Sequence, residues 1–171
     1  MEKLTVSQGL RRAKKLKGLL AEAQTRAEQS SCWAAGKKPV FSFEAERESR
    51  AKHQQEIVRI ESAIAVANAT NSVEFEGRTI RLAEAIRTLQ EFKADLAWLP
   101  RLQLKTGVEE TSEYDYDEAT GRNVRKPKSV TYEAALTEPA RIADVQKLRD
   151  RFEALNDALE TANHRTLLDL S

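Results

Sequence analysis

Between Thr106 and Tyr132 the chain sets Asp115, Asp117 and Glu118 a few residues ahead of Arg122, Arg125, Lys126 and Lys128. Three acids this close suggest calcium. A calcium loop needs oxygen ligands at alternate positions, glycine at the sixth and a bidentate glutamate to close it. Counted from Asp115 the sixth residue is Thr120, and no glutamate follows where one is required. The basic arm could grip phosphate, but acids opposite it would neutralise it. Cross-strand ion pairing is therefore the expected role, with Tyr114 and Tyr116 interleaved among the charges.

His53 and His164 are the chain's histidines and Cys32 is its cysteine. Neither histidine has a second His or a Cys at ligand spacing, so no metal site is expected, and nothing at sequence level sets up a Ser–His or Cys–His nucleophile. Cys32 reads as a small, partly buried side chain and Trp33 and Trp98 as core residues. Arg11, Arg12, Lys14, Lys15 and Lys17 read as the wet face of a helix. No catalytic residue, cofactor or metal is expected.

In the 171 residues, 28 Lys and Arg against 27 Asp and Glu leave a net charge of +1, which offers no global field for nucleic acid or an anionic membrane. With 40% apolar and 32% charged residues the composition suits long helices carrying one buried stripe. The absence of an apolar run near the ~20 residues of a membrane span, together with the single cysteine, gives cytoplasmic residence as the expectation.

The elements that would position these groups follow from periodicity. A first helix opens at Thr5 with a capping box to Gln8 and carries Val6, Leu10, Ala13, Leu16, Leu20, Ala23 and Ala27 to about Ser30. A second runs from Ser42 to Asn68. Its first half, Glu44 to Glu56, puts Arg47, Arg50 and His53 where apolar residues belong, so it needs a cover from elsewhere. Ser72 to Phe75 is extended, Glu76-Gly77 turns, and Thr79 is expected to open a third helix that Pro100 ends or kinks. A hairpin fills 106–132, with its turn at Glu118 to Gly121, and a last helix runs from Thr137 to Ala162 with a heptad-like stripe from Ile142.

The halves match each other. Leu4, Val6, Leu10 and Ala13 fall on Ile80, Leu82, Ile86 and Leu89 at one constant offset. Ile60, Ile64, Ala67, Asn68, Val73 and Phe75 fall on Leu155, Leu159, Ala162, Asn163, Leu168 and Leu170 at another. The expected fold is mainly α: one domain, an antiparallel four-helix bundle or coiled coil of two related helix pairs (1–78 and 79–171), with the hairpin inserted in the second.

On the N-terminal Leu-rich helix, the exit Ala69-Thr70-Asn71-Ser72, the opening Gly77-Arg78-Thr79-Ile80 and the final helix with Asp144 to Leu148 and Ala162-Asn163, the chain resembles the septicolysin-like family of small bacterial proteins. That resemblance implies a helical, self-associating bacterial protein and, through the family's name, a cytolysin-like activity; it fixes no active residue. The polar stretch Glu44 to Glu56 departs from the family's pattern.

The leading expectation is a non-enzymatic, self-associating helical protein, a scaffold or interaction module. Its contact surface would comprise Arg47, Arg50, His53, Tyr114, Tyr116, Arg122, Arg125 and Lys126. Its partner would be a second copy of the chain or another protein, with nucleic acid disfavoured. Two alternatives stand beside it: a membrane-active, toxin-like protein using the amphipathic first helix, and an oligomer that sequesters a small anion or nucleotide between Arg and Trp side chains.

Overall fold

A computed structural model describes residues 3–170. The elements are α1 (Val6–Gln29), α2 (Phe43–Thr70), β1 (Ser72–Phe75), β2 (Arg78–Arg81), α3 (Leu82–Trp98), a 3-10 turn at Leu99–Arg101, β3 (Gly107–Asp117), β4 (Arg122–Tyr132) and α4 (Glu138–Arg165). Among the described residues the chain is 60% helical, and the strands form two separate antiparallel two-stranded sheets, so the fold is α+β. By contacts it divides into two units. One takes the residues up to Gln90 together with those from Glu153 onward; the other is Glu91–Phe152.

In the first unit α1 and α2 pair closely because α1 offers small residues. Gly9, Ala13, Ala23 and Ala27 are its buried positions together with Val6, and small side chains let two helix backbones approach. A Cβ built on Gly9 would lie 2.5 Å from Leu168 Cδ1 and 3.5 Å from Ile60 Cγ2. Across the pair Arg12 meets Glu56 at 2.9 Å and Lys17 meets Glu61 at 2.6 Å. Leu4, Val6, Ala13, Ile60, Ala63, Ile64, Ala67 and Leu168 form one buried cluster, against which Leu16 and Leu170 pack.

Two sets of backbone bonds hold the ends of the helices. The Leu82 N–H donates to the Asn71 carbonyl at 3.0 Å, and the Val6 N–H donates to Thr166 at 2.9 Å. Asn71 N–H donates to Ala67 at 3.0 Å, and Thr166 N–H to Ala162 at 2.8 Å. Ser72 pairs with Arg81 in the β1–β2 ladder, and Thr5 pairs with Leu167 in an isolated bridge. Each member of one set stands at the offset from its counterpart that relates the apolar residues of the two halves. The deepest side chains follow the same correspondence: Val6 with Leu82, and Ile60 with Leu155.

The second unit contains the end of α3, the hairpin and the start of α4. Arg141 donates through Nη1 to the carbonyls of Pro100 (3.2 Å) and Leu102 (3.1 Å) and pairs through Nη2 with Glu138, fixing the chain after the 3-10 turn to the first turn of α4. Arg151 lies 4.9 Å from the Phe92 ring and Lys93 5.7 Å from that of Phe152.

Several expectations are corrected. The four-helix bundle with one inserted hairpin is not what the chain forms. Part of the core comes from strands, through Val73, Phe75 and Ile80, and α4 buries only Leu155 and Leu159 while Ile142 is 60% exposed. A heptad stripe states which face is apolar, not whether anything covers it. Helix α3 starts at Leu82 rather than Thr79, because Arg78–Arg81 pairs with β1 and the Thr79 hydroxyl bonds the Glu74 carboxylate. Leu10 faces outward, since the small-residue face of α1 is the one α2 covers. Trp33 and Trp98 are exposed rather than in the core, and Cys32 is exposed rather than partly buried. The polar half of α2 lies on the helix that α1 pairs with: Ala23 and Ala27 of α1 are buried, and Glu46 stands beside Arg26 at 4.0 Å.

Candidate interaction surfaces

The hairpin's strands are eleven residues each, in register from Gly107 opposite Tyr132 to Asp117 opposite Arg122. β-branched and aromatic residues alternating with charges favour the pleat, and Gly121, at φ +64, supplies the left-handed turn residue. Asp117 shapes the turn. Its carboxylate accepts from the Thr120 hydroxyl (2.8 Å) and, with smaller effect, from Ala119 N–H (3.0 Å), which hold its pKa below the ordinary value.

Because side chains alternate across a strand, the register sorts the hairpin into two faces. One carries Glu109, Glu113, Asp115 and Asp117 of β3 with Arg122, Lys126 and Lys128 of β4. It neutralises itself: Lys126 donates to Asp115 at 2.7 Å and Lys128 to Glu113 at 2.6 Å. The Lys126 hydrogen bond, then its charge, holds the Asp115 carboxyl below its ordinary pKa. The expected cross-strand pairing is thus present on this face.

The other face carries Val108, Glu110, Ser112, Tyr114 and Tyr116 opposite Thr131, Ser129, Pro127, Arg125 and Asn123. Val108, Tyr114 and Tyr116 are 65%, 71% and 62% exposed. Arg125 Nε donates to Ser112 Oγ at 2.6 Å, which lays the guanidinium stem along the same face. Tyrosine and arginine standing over a mostly neutral surface is the composition of contact hot spots.

The eight expected surface residues therefore fall into three places. Tyr114, Tyr116 and Arg125 share one hairpin face, Arg122 and Lys126 lie on the opposite face, and Arg47, Arg50 and His53 stand on α2. On α2 the partners are local. Arg50 donates to Gln54 at 3.4 Å, and His53 Nε2 lies 3.3 Å from Ser49 Oγ. Ser49 and His53 stand one helical turn apart on α2. Val108, Glu110 and Pro127 were not among the expected surface residues. The period-two alternation that locates the hairpin also places them on the tyrosine face.

Two open clefts of the first unit occupy corresponding places. One, of about 500 Å³, lies between the end of α2 and the tail and includes Arg59, Val66, Leu167 and Asp169. The other, of about 550 Å³, lies between the end of α4 and β1 and includes Glu74, Asp157, Thr161 and Arg165. The cleft at Trp33, about 520 Å³, is bordered by Lys38, Phe41, Phe43 and Glu44, with no arginine among the described residues of its wall. Among the described residues no three His, Cys, Asp or Glu side chains gather in a metal-holding group.

No family model and no curated protein matches the chain. A solved structure described as a functionally unknown conserved protein from Corynebacterium diphtheriae is similar over 98% of this chain and 100% of that one, with a TM-score of 0.71 at 13% identity. At that identity the likeness concerns the fold. Among the described residues no helix is long and apolar enough to cross a membrane.

Proposed function

We propose that the protein is a non-enzymatic, self-associating scaffold or interaction module, and that the β3–β4 hairpin is its principal contact arm. The observation that carries this is the hairpin's exposure. A two-stranded ribbon in water is marginally stable at best unless a face or an edge is covered, yet Val108, Tyr114 and Tyr116 stand open to solvent. The resemblance to septicolysin-like proteins points the same way, toward association of like chains.

The membrane-active alternative draws less support. Strands of eleven residues are long enough to span a bilayer, but even the less charged hairpin face holds Glu110 and Arg125, and charges on a lipid-facing strand cost several kcal/mol near the midplane. The basic residues Arg12 and Lys17 of α1 are already tied to Glu56 and Glu61.

The test is light scattering after size exclusion over a concentration series. A mass above that of the monomer, rising with concentration, is expected. A strict monomer up to about 1 mM, well into the range of weak contacts, removes the proposal.

A further inference from the structure

The tyrosine face of the hairpin has a charge pattern that fits a second copy of itself. Along the ribbon the paired residues form levels: Val108 with Thr131, Glu110 with Ser129, Ser112 with Pro127, Tyr114 with Arg125, and Tyr116 with Asn123. The Ser112–Pro127 level is the middle one, and its side chains are small. Glu110 lies one level to one side and Arg125 one level to the other; these are the charged residues of the face. Val108 and Tyr116 occupy the outer levels.

Resting on the reading of a self-associating protein, we infer that two copies pack these faces together, antiparallel, about a two-fold axis at the Ser112–Pro127 level. A two-fold contact is self-complementary, so each matched level occurs twice. Here it brings Glu110 of each copy to the Tyr114–Arg125 level of the other, and Val108 to Tyr116. Parallel stacking would instead set Arg125 beside Arg125 and Glu110 beside Glu110, which like-charge repulsion disfavours. Two twisted ribbons pack face to face with strands inclined by roughly 30° and about 10 Å between them. The opposite hairpin face has no comparable call for a partner, because Lys126 and Lys128 already neutralise Asp115 and Glu113.

Strands of eleven residues make a ribbon about 37 Å long, so the covered area is about 400 Å² per copy, half the roughly 800 Å² typical of a stable complex. The contact is therefore reversible, and its strength depends on the two Glu110–Arg125 meetings.

The experiment uses the full chain and two charge reversals, Glu110→Arg and Arg125→Glu, with sedimentation equilibrium of each alone and of their equimolar mixture. Alone, each variant sets like charges against each other twice, and its association weakens by about tenfold or more. In the mixture the substituted site of one variant faces that of the other, so the new arginine meets the new glutamate. The native Arg125 of the first variant then meets the native Glu110 of the second, and association returns to near the wild-type value. A merely unfolded variant would not be rescued by mixing. If the single variants associate as the wild type does, or the mixture associates no better than either alone, the antiparallel contact is wrong while self-association through another surface stands. A wild-type chain that stays monomeric up to about 1 mM removes both.

Discussion

The backbone N–H of Val6 donates to the carbonyl of Thr166 at 2.9 Å, so the segment entering the first helix is held by the one leaving the last. Beside this bond Leu168 N–H donates to Leu4 at 2.8 Å, and the Leu168 side chain enters the core with Ile60 and Ile64. Truncating it leaves a cavity that α1 and α2 cannot close. Leu168→Ala is expected to cost about 2–4 kcal/mol, read as a lower urea midpoint at unchanged slope. A loss under about 0.5 kcal/mol, the scale of a surface change, would show that the tail does not belong to the core.

Gly9 sets how closely α1 and the tail approach. The corresponding position of the other half holds Ala85, fully buried, so a Cβ is tolerated there and crowded at Gly9. Gly9→Val forces Leu168 aside and is expected to destabilise by about 1–3 kcal/mol despite the gain in helix propensity. Thermal unfolding checks it; an unchanged or raised midpoint would contradict the close approach.

The hairpin tip is expected to be acid-sensitive. Lys126 holds the Asp115 carboxyl below its ordinary pKa, and Thr120 with Ala119 does the same for Asp117. A carboxylate whose folded pKa is depressed contributes stability that is fully present above its unfolded value, near 3.9, and lost as pH falls through the folded one. The turn should therefore be intact at neutral pH and loosen below about pH 4. NMR amide shifts of Ala119 and Val124 followed by titration give the answer, and a tip unchanged at pH 2 would refute it.

Helices α2 and α4 share another feature at corresponding sites. Asn68 and Asn163 each bury a side-chain Oδ1 that has no hydrogen-bond partner among the described residues. An unsatisfied buried acceptor costs about 1–3 kcal/mol, so Asn68→Ala and Asn163→Ala should be neutral or stabilising by up to about 1 kcal/mol, against the usual trend for buried positions. Chemical denaturation of the two variants decides; a loss above about 2 kcal/mol in either would mean that the amide is anchored by its nitrogen.

Tyr114 and Tyr116 are mostly exposed, so Tyr114→Ser with Tyr116→Ser should leave unfolding within about 0.5 kcal/mol of the parent. The same double variant should weaken self-association by about tenfold or more, since exposed tyrosines anchor contacts. Paired unfolding and light-scattering measurements separate the two effects; equal association of variant and parent would take the hairpin out of the contact.

Local chemistry made some elements readable from sequence. Thr5 with Gln8 announced the start of α1, and alternation with Gly121 announced the hairpin and its turn. Strand β2 was not readable, because Ile80 and Leu82 fit a helical spacing as well as a strand and Thr79 is as good a cap as a strand residue. The cover over the polar half of α2 was hidden for a different reason. Helix α1 pairs with α2 through a face of glycine and alanine, and small residues leave almost no hydrophobic signal. Of the candidate surface, Tyr114, Tyr116 and Arg125 were named but not joined on one face, since only the register shows which side chains point together.

The bonds of Val6 with Thr166 and Leu4 with Leu168 have a topological consequence. They mirror those of Leu82 with Asn71 and of Ile80 with Val73, which meet across the Glu76–Gly77 turn. The order of the chain is therefore close to cyclic. A circular permutant opened at Glu76–Gly77, with a short linker joining Leu170 to Lys3, exchanges one tight turn for another and keeps the helices, both sets of bonds and the hairpin.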